Sequence, residues 1–203
     1  MPKKIILVRH GQTDENLNRT VQGWMDTVLN EVGKSQAEKL VGRFGESEKI
    51  DEVFSSDSKR ARKTVEGIAK KFNLELKLRI ELRERNFGSF EGKTWDEIEK
   101  AMPFDYSESR NEKNKMWAKH GIEPIESFQK RLKTFINYLA KHYKNKNVVV
   151  GLHGGSKRNI LRIMGLVDEN EMTRFNNASV TILEKQMDGS YKTLEFNDVG
   201  HLE

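Results

Sequence analysis

The chain of 203 residues contains no cysteine, only three prolines, and no apolar run that approaches the length of a membrane span. Without cysteine there is no disulfide framework, no thiolate nucleophile and no cysteine-ligated metal site, and compartment is only weakly constrained by that absence. A secretory core is missing as well. Behind Lys3-Lys4 only Ile5-Ile6-Leu7-Val8 intervene before Arg9, well short of a signal-peptide h-region, so a cytoplasmic protein with no membrane partner is the expectation. Internal repeats and low-complexity linkers are also lacking, and the length suits one domain spanning 1–203.

What is present is a charged, soluble composition, 33% Asp, Glu, Lys and Arg against 35% hydrophobic, with a formal net charge of +5. The basic residues are scattered and interleaved with acids, as between Glu66 and Glu75, and form no stripe with aromatics between. That pattern argues against a nucleic-acid partner and for a field that draws in small anions.

Apolar runs of strand type alternate with helical periodicity, which predicts an α/β fold around a mostly parallel sheet. Strands are expected near Lys4–Val8, Glu52–Phe54, Leu74–Leu78, Val148–Leu152, Val180–Glu184 and Tyr191–Phe196. Helical spacing covers about Glu31–Gly45, a helix with apolar face Ala61, Val65, Ile68, Ala69 and Phe72, and a long one through Phe128, Leu132, Phe135, Ile136 and Leu139. Ser56 and Asp57 are expected to cap the second of these, and Thr94-Trp95-Asp96-Glu97 is a capping box. The polar stretch 103–124, flanked by Pro103 and Pro124, is expected to form an irregular lid that selects substrate.

Two strands end in the same way, one at Arg9-His10-Gly11 and one at His153-Gly154-Gly155. In a parallel sheet the carboxyl ends of neighbouring strands converge on one crevice, so His10 and His153 are expected to face each other there. The helix that follows Gly154 presents its N-terminal amides to the same crevice, as an anion site.

Taken in order, Arg9-His10-Gly11-Gln12-Thr13, Asn16, Gln22-Gly23-Trp24, Ser56-Asp57 with Arg60-Ala61 and Thr64, Leu82-Arg83-Glu84 before Phe87-Gly88, and His153-Gly154-Gly155 resemble the histidine phosphatase superfamily, the phosphoglycerate-mutase-like family. The resemblance runs over nearly the whole chain. It implies a three-layer α/β/α sandwich and a phosphomonoester chemistry with His10 as nucleophile and Glu84 as proton donor and acceptor. Arg9, Arg60 and a protonated His153 would neutralise the phosphoryl oxygens, with Asn16, Gln22, Gly23, Arg83 and Gly154 completing the phosphate and substrate contacts. No metal or cofactor is implied, because the arginines take the place of a Mg²⁺ ion.

Each of these residues also has a structural reading. Glu84 between Arg83 and Arg85 could be a solvated ion cluster, Arg60 a surface pair, and Trp24 and Trp95 packing residues. Arg110, Lys113 and Lys115 could grip a second anion or merely be solvated, and His201 is read as structural. Within the family, Pro103–Pro124 lacks the adjacent arginine pair and proline-rich run of mutases that use 2,3-bisphosphoglycerate, which favours a phosphatase over a mutase. A non-catalytic phosphate-binding scaffold is the reading from another class. A small phosphate ester is the expected partner, and the oligomeric state, monomer or homodimer, stays open.

Overall fold

A computed structural model describes residues 1–45, 48–101, 115–168 and 173–203. Its centre is a six-stranded sheet in the order β3-β2-β4-β1-β5-β6, formed by β1 (Lys4–Arg9), β2 (Glu52–Ser55), β3 (Leu76–Leu78), β4 (Asn147–Leu152), β5 (Val180–Lys185) and β6 (Tyr191–Asp198). The pairs β1–β4, β2–β4 and β2–β3 are parallel, and β5 is antiparallel to both β1 and β6.

The period of two along β1 divides the core. Ile5 and Leu7 face a cluster with Phe128, Leu132, Phe135 and Leu139 of the helix Ile125–His142 and with Ile160 and Leu161 of the helix Gly154–Ile163. Ile6 and Val8 face the opposite cluster, with Leu40 of Glu31–Arg43 and Val65, Ile68 and Ala69 of Lys59–Lys71. Helices therefore cover both faces: the α/β fold that the alternating pattern predicts is the three-layer α/β/α sandwich that the resemblance implies. In chain order the α-helices are α1 (Asp14–Leu17), α2 (Glu31–Arg43), α3 (Lys59–Lys71), α4 (Trp95–Ala101), α5 (Ile125–His142) and α6 (Gly154–Ile163), with a further helical turn at 115–118. Among the described residues no helix is long and apolar enough to cross a membrane.

The capping of α3 differs from expectation. Its N-cap is Ser58, which makes no side-chain capping bond, while Ser56 and Asp57 turn to partners from distant segments. The capping box at α4 forms as predicted, with Glu97 accepting from the Thr94 amide at 2.7 Å and Thr94 Oγ1 accepting from the Glu97 amide at 3.2 Å. Of the 103–124 stretch, residues 103–114, with Arg110 and Lys113, lie outside the described residues. In the remainder Ile122 is buried with Val21, Phe90 and Ile98, and Trp117 packs against that cluster.

Candidate active site

Three neighbouring parallel strands deliver the site. The register of β1 on β4 pairs Arg9 with Leu152, so the next residue of each strand, His10 and His153, emerges side by side. Their ring centroids are 5.3 Å apart and both rings are buried. On the far side of β4, β2 runs into the short loop before α3, whose first turn carries Arg60.

His10 has a defined tautomer. Nδ1 lies 2.7 Å from the Gly11 carbonyl, which can only accept, so Nδ1 carries the proton and Nε2 keeps its lone pair. Burial, then the charges of Arg60 and Arg9, hold the imidazole pKa well below its ordinary value. His153 is likewise pushed well down, by burial and then by Arg60, His10 and Arg9, and its Nε2 stands 3.0 Å from Ser56 Oγ. Among these neighbours the histidine expected as a third cation is therefore held neutral, and the charge of a phosphate dianion, opposing that of the arginines, would favour its protonation.

Arg60 is 1% exposed and is not a surface pair. Its Nη1 donates to the Met25 carbonyl at 2.8 Å and to Thr27 Oγ1 at 3.0 Å, and its Nη2 to the Gly23 carbonyl at 2.8 Å. Desolvation lowers its pKa to about 10, which leaves it cationic at neutral pH. Gly23 has φ +46°, and a Cβ there would lie 2.1 Å from Glu91 Oε1, which accepts the amides of Trp24 at 2.8 Å and Phe87 at 3.0 Å. Gln22 reaches the site indirectly: its Oε1 accepts from Thr27 Oγ1 at 2.7 Å, next to Arg60.

Arg9 donates to the Phe175 carbonyl through Nη1, and its buried Nε has no protein partner. Asn16 is held by its Oδ1, which accepts from the Thr13 amide at 3.2 Å and from Asn177 Nδ2 at 2.9 Å, leaving the Asn16 amide protons to a ligand. Gly154 opens α6 beside Arg9, and the next amide, of Gly155, is already spent on Glu84 Oε2 at 2.8 Å. Glu84 Oε1 accepts the Arg85 amide at 2.9 Å.

The ion-cluster reading of Glu84 fails because neither flanking arginine pairs with it. Arg83 forms a forked pair with Asp57, and Arg85 stacks on Trp117 at 4.4 Å while donating to the Glu123 carbonyl at 2.6 Å. Trp24 is not a packing residue either. It is 44% exposed, its Nε1 donates to the Glu84 carbonyl at 2.8 Å, and with Gly23, Asp26, Asp57, Ser58, Arg83, Glu84 and His153 it lines a cavity of about 320 Å³. Trp95 stays exposed at an edge-on contact with Phe87, away from this lining.

With this geometry in place, the chain can be set beside known proteins. The profile of the histidine phosphatase superfamily (branch 1) matches residues 5–199. The chain belongs to this superfamily. Two curated relatives from Arabidopsis thaliana carry different names: a metal-independent phosphoserine phosphatase is 34% identical over 98% of this chain and 83% of its own, and phosphoglycerate mutase-like protein 4 is 32% identical over 98% and 87%. Among solved structures, YhfR of Bacillus stearothermophilus superposes with a TM-score of 0.82 at 26% identity, covering 100% of both chains. In histidine phosphatase terms the crevice brings together His10, His153, Arg9, Arg60 and Glu84, with Asn16, Gly23, Arg83 and Gly154 around them.

Three residues that support the crevice carry no sequence signal. Asn177 Nδ2 donates to the carbonyls of His10 at 3.1 Å and Gly11 at 3.2 Å as well as to Asn16. Arg131 of α5 donates to the carbonyls of Glu81, Arg83 and Glu84 at 2.8, 2.7 and 2.7 Å and so holds the Glu84 loop. Glu91 knits the Gly23 turn. Among the described residues no cluster of three or more histidine and carboxylate side chains has the arrangement of a metal site.

Proposed function

We infer that the protein is a metal-independent phosphatase that hydrolyses a small phosphorylated metabolite through a phosphohistidine on His10. The observation that carries this reading is the His10 Nδ1–H···O=C bond to Gly11, which leaves a lone pair on Nε2 of a neutral imidazole whose pKa the nearby charges of Arg60 and Arg9 help to hold down. The name of the metal-independent phosphoserine phosphatase supports a phosphatase that works without metal.

In the first step Nε2 attacks phosphorus, the ester P–O bond breaks, and protonated Glu84 gives its proton to the leaving oxygen. Arg9 and Arg60 share the charge on the equatorial oxygens, and His153, protonated as the dianion enters, adds a donor. In the second step the Glu84 carboxylate takes a proton from water, which attacks phosphorus and breaks the N–P bond. Inorganic phosphate leaves, His10 regains its lone pair and Glu84 its proton. Asn16, Gly154 and the backbone at Gly23 orient the phosphoryl group, Gln22 acts through Thr27, and Arg83 faces the leaving group.

This reading takes the protein to be a single catalytic domain over 1–203, cytoplasmic, with residues around 103–124 selecting substrate. Its partner is a phosphate ester rather than a nucleic acid or a membrane. The test is turnover of p-nitrophenyl phosphate by wild type and His10→Ala, with rapid quench of the wild type after a pulse of labelled ester. With the quench made in alkaline detergent rather than acid, activity confined to the wild type and label on the protein that survives base and is lost in acid is the expected result; equal rates in both proteins would sink it. The mutase reading, favoured by the name of the other Arabidopsis relative, is checked with 3-phosphoglycerate and a trace of 2,3-bisphosphoglycerate. Formation of 2-phosphoglycerate without phosphate release would replace the phosphatase assignment.

A further inference from the structure

Of the residues that line the cavity, the hydrolytic chemistry uses His153 and Glu84 and leaves Asp57 and Trp24 unexplained. Asp57, released from capping α3, reaches across to Arg83: Nε donates to Oδ1 at 2.8 Å and Nη2 to Oδ2 at 2.5 Å. The same guanidinium lies over the Trp24 ring at 4.8 Å, and Trp24 is itself fixed by its bond to the Glu84 carbonyl. Arg83 is thus parked between a carboxylate and an indole, in the cavity that also holds His153 and Glu84. Asp26 of the same lining is engaged by Lys59 at 2.7 Å.

Two features of the pair decide what it does. Its forked geometry is the one an arginine offers to any carboxylate, so a carboxylate on a substrate competes for the same donors. The pair is also open to solvent, with side-chain exposures of 35% and 23%, and ion pairs in such surroundings are weakly held. The mutual pull shows in the titration of both groups, since Arg83 draws the Asp57 pKa down and Asp57 draws that of Arg83 up.

We propose that Asp57 is a specificity-determining residue: it occupies the carboxylate subsite made by Arg83 and so sets the preference between phosphomonoesters whose leaving group carries a carboxylate and those whose leaving group is neutral. This rests on the phosphatase reading above. A carboxylate near the ester takes the Nε and Nη2 fork of Arg83 only by displacing Asp57, and at Nη1 it meets the repulsion of the same carboxylate, whereas a hydroxyl at that place needs neither. Asparagine at position 57 retains the shape, loses the charge and yields Arg83 more readily.

The test uses 3-phosphoglycerate and glycerol 3-phosphate, which differ by a carboxylate in place of a hydroxymethyl group, with wild type, Asp57→Asn, Arg83→Ala and the double variant. The kcat/KM ratio of the first ester to the second is expected to rise at least fivefold in Asp57→Asn, chiefly through a lower KM for 3-phosphoglycerate. Once Arg83 is alanine, adding Asp57→Asn is expected to shift that ratio less than twofold. An equal gain on both esters, a gain that persists without Arg83, or a fall in the ratio overturns the proposal. Calorimetric binding of 3-phosphoglycerate to the same four proteins reads the competition without turnover. Absence of hydrolysis by wild type on any ester instead counts against the phosphatase reading, which keeps the two failures apart.

Discussion

Glu84 accepts the backbone amide of Gly155 at 2.8 Å, which ties the proposed proton donor to the turn that carries His153. A Cβ at position 155 would stand 2.2 Å from Glu84 Oε1, so this glycine keeps room for the carboxylate. Gly155→Ala is expected to displace Glu84, and Glu84→Gln to remove the proton. General acid–base help is worth about 10²- to 10⁴-fold, and it matters most for a poor leaving group. Both variants should therefore lose at least ~100-fold in kcat on an alkyl phosphate and much less on p-nitrophenyl phosphate, read from steady-state rates on the two esters. Equal losses on both would place Glu84 outside proton transfer.

Asn177 Nδ2 donates to the carbonyls of His10 and Gly11 and to Oδ1 of Asn16. Asn177→Ala should leave His10 neutral but less well aimed, lowering kcat/KM by about 10- to 100-fold, the scale of a small misplacement of a catalytic group. The thermal midpoint should move by only a few degrees, because each lost net hydrogen bond is worth about 1 kcal/mol. Steady-state kinetics beside a melting curve separates the two effects.

At Gly23 a side chain meets both a left-handed backbone and the Glu91 carboxylate. Gly23→Ala is expected to cost about 1–2 kcal/mol from the backbone conformation, with more from the displaced carboxylate. Since Arg60 Nη2 bonds the Gly23 carbonyl, inhibition by inorganic phosphate should weaken as well. Chemical denaturation and a phosphate titration check the two parts.

The buried histidines predict an acid weakness. His10 and His153 have pKa values held well below 6.5 when folded, so between their folded values and the unfolded value of about 6.5 the unfolded chain binds more protons. Stability is then unaffected by these groups above that value and falls as pH drops below it, with a limiting slope of about 1.4 kcal/mol per pH unit for each histidine. This window lies above the one in which Asp57, Asp51 and Asp26, with lowered pKa values, lose their contribution near and below about pH 4. Urea midpoints from pH 7.5 to 5 should decline in wild type and decline less in His153→Gln. An unchanged slope would mean that His153 titrates normally in the folded protein.

Much of this was legible in the sequence because the strand ends and their histidines are local patterns. Ile5–Val8 and Val148–Leu152 read as buried strands, and the parallel register then had to bring His10 and His153 together. Arg60 was legible by its place in the Ser56–Thr64 block. The errors arise where distant segments outbid local chemistry. Ser56 and Asp57 have good capping side chains, but His153 and Arg83 take them, and Ser58 ends as a cap without a side-chain bond. Trp24 looked like packing because nothing nearby in sequence shows that Arg83 covers its face. Asn177, Arg131 and Glu91 work by bonding backbone groups of remote loops, a role that leaves no periodicity and no motif.

The adjacency of β1 and β4 also bears on how the protein is made. β1 is translated well before either of its neighbours, β4 on one side and β5 on the other, and the loop that fixes Arg9 and His10 precedes β5. Until synthesis has passed Leu152 the first strand has neither partner, and until it has passed Lys185 it lacks β5, so a nascent chain carries His10 without the surroundings that aim it. On the proposed reading, phosphoryl chemistry at His10 waits for β5, so translation that stalls before Lys185 is expected to yield fragments that are inert toward phosphate esters.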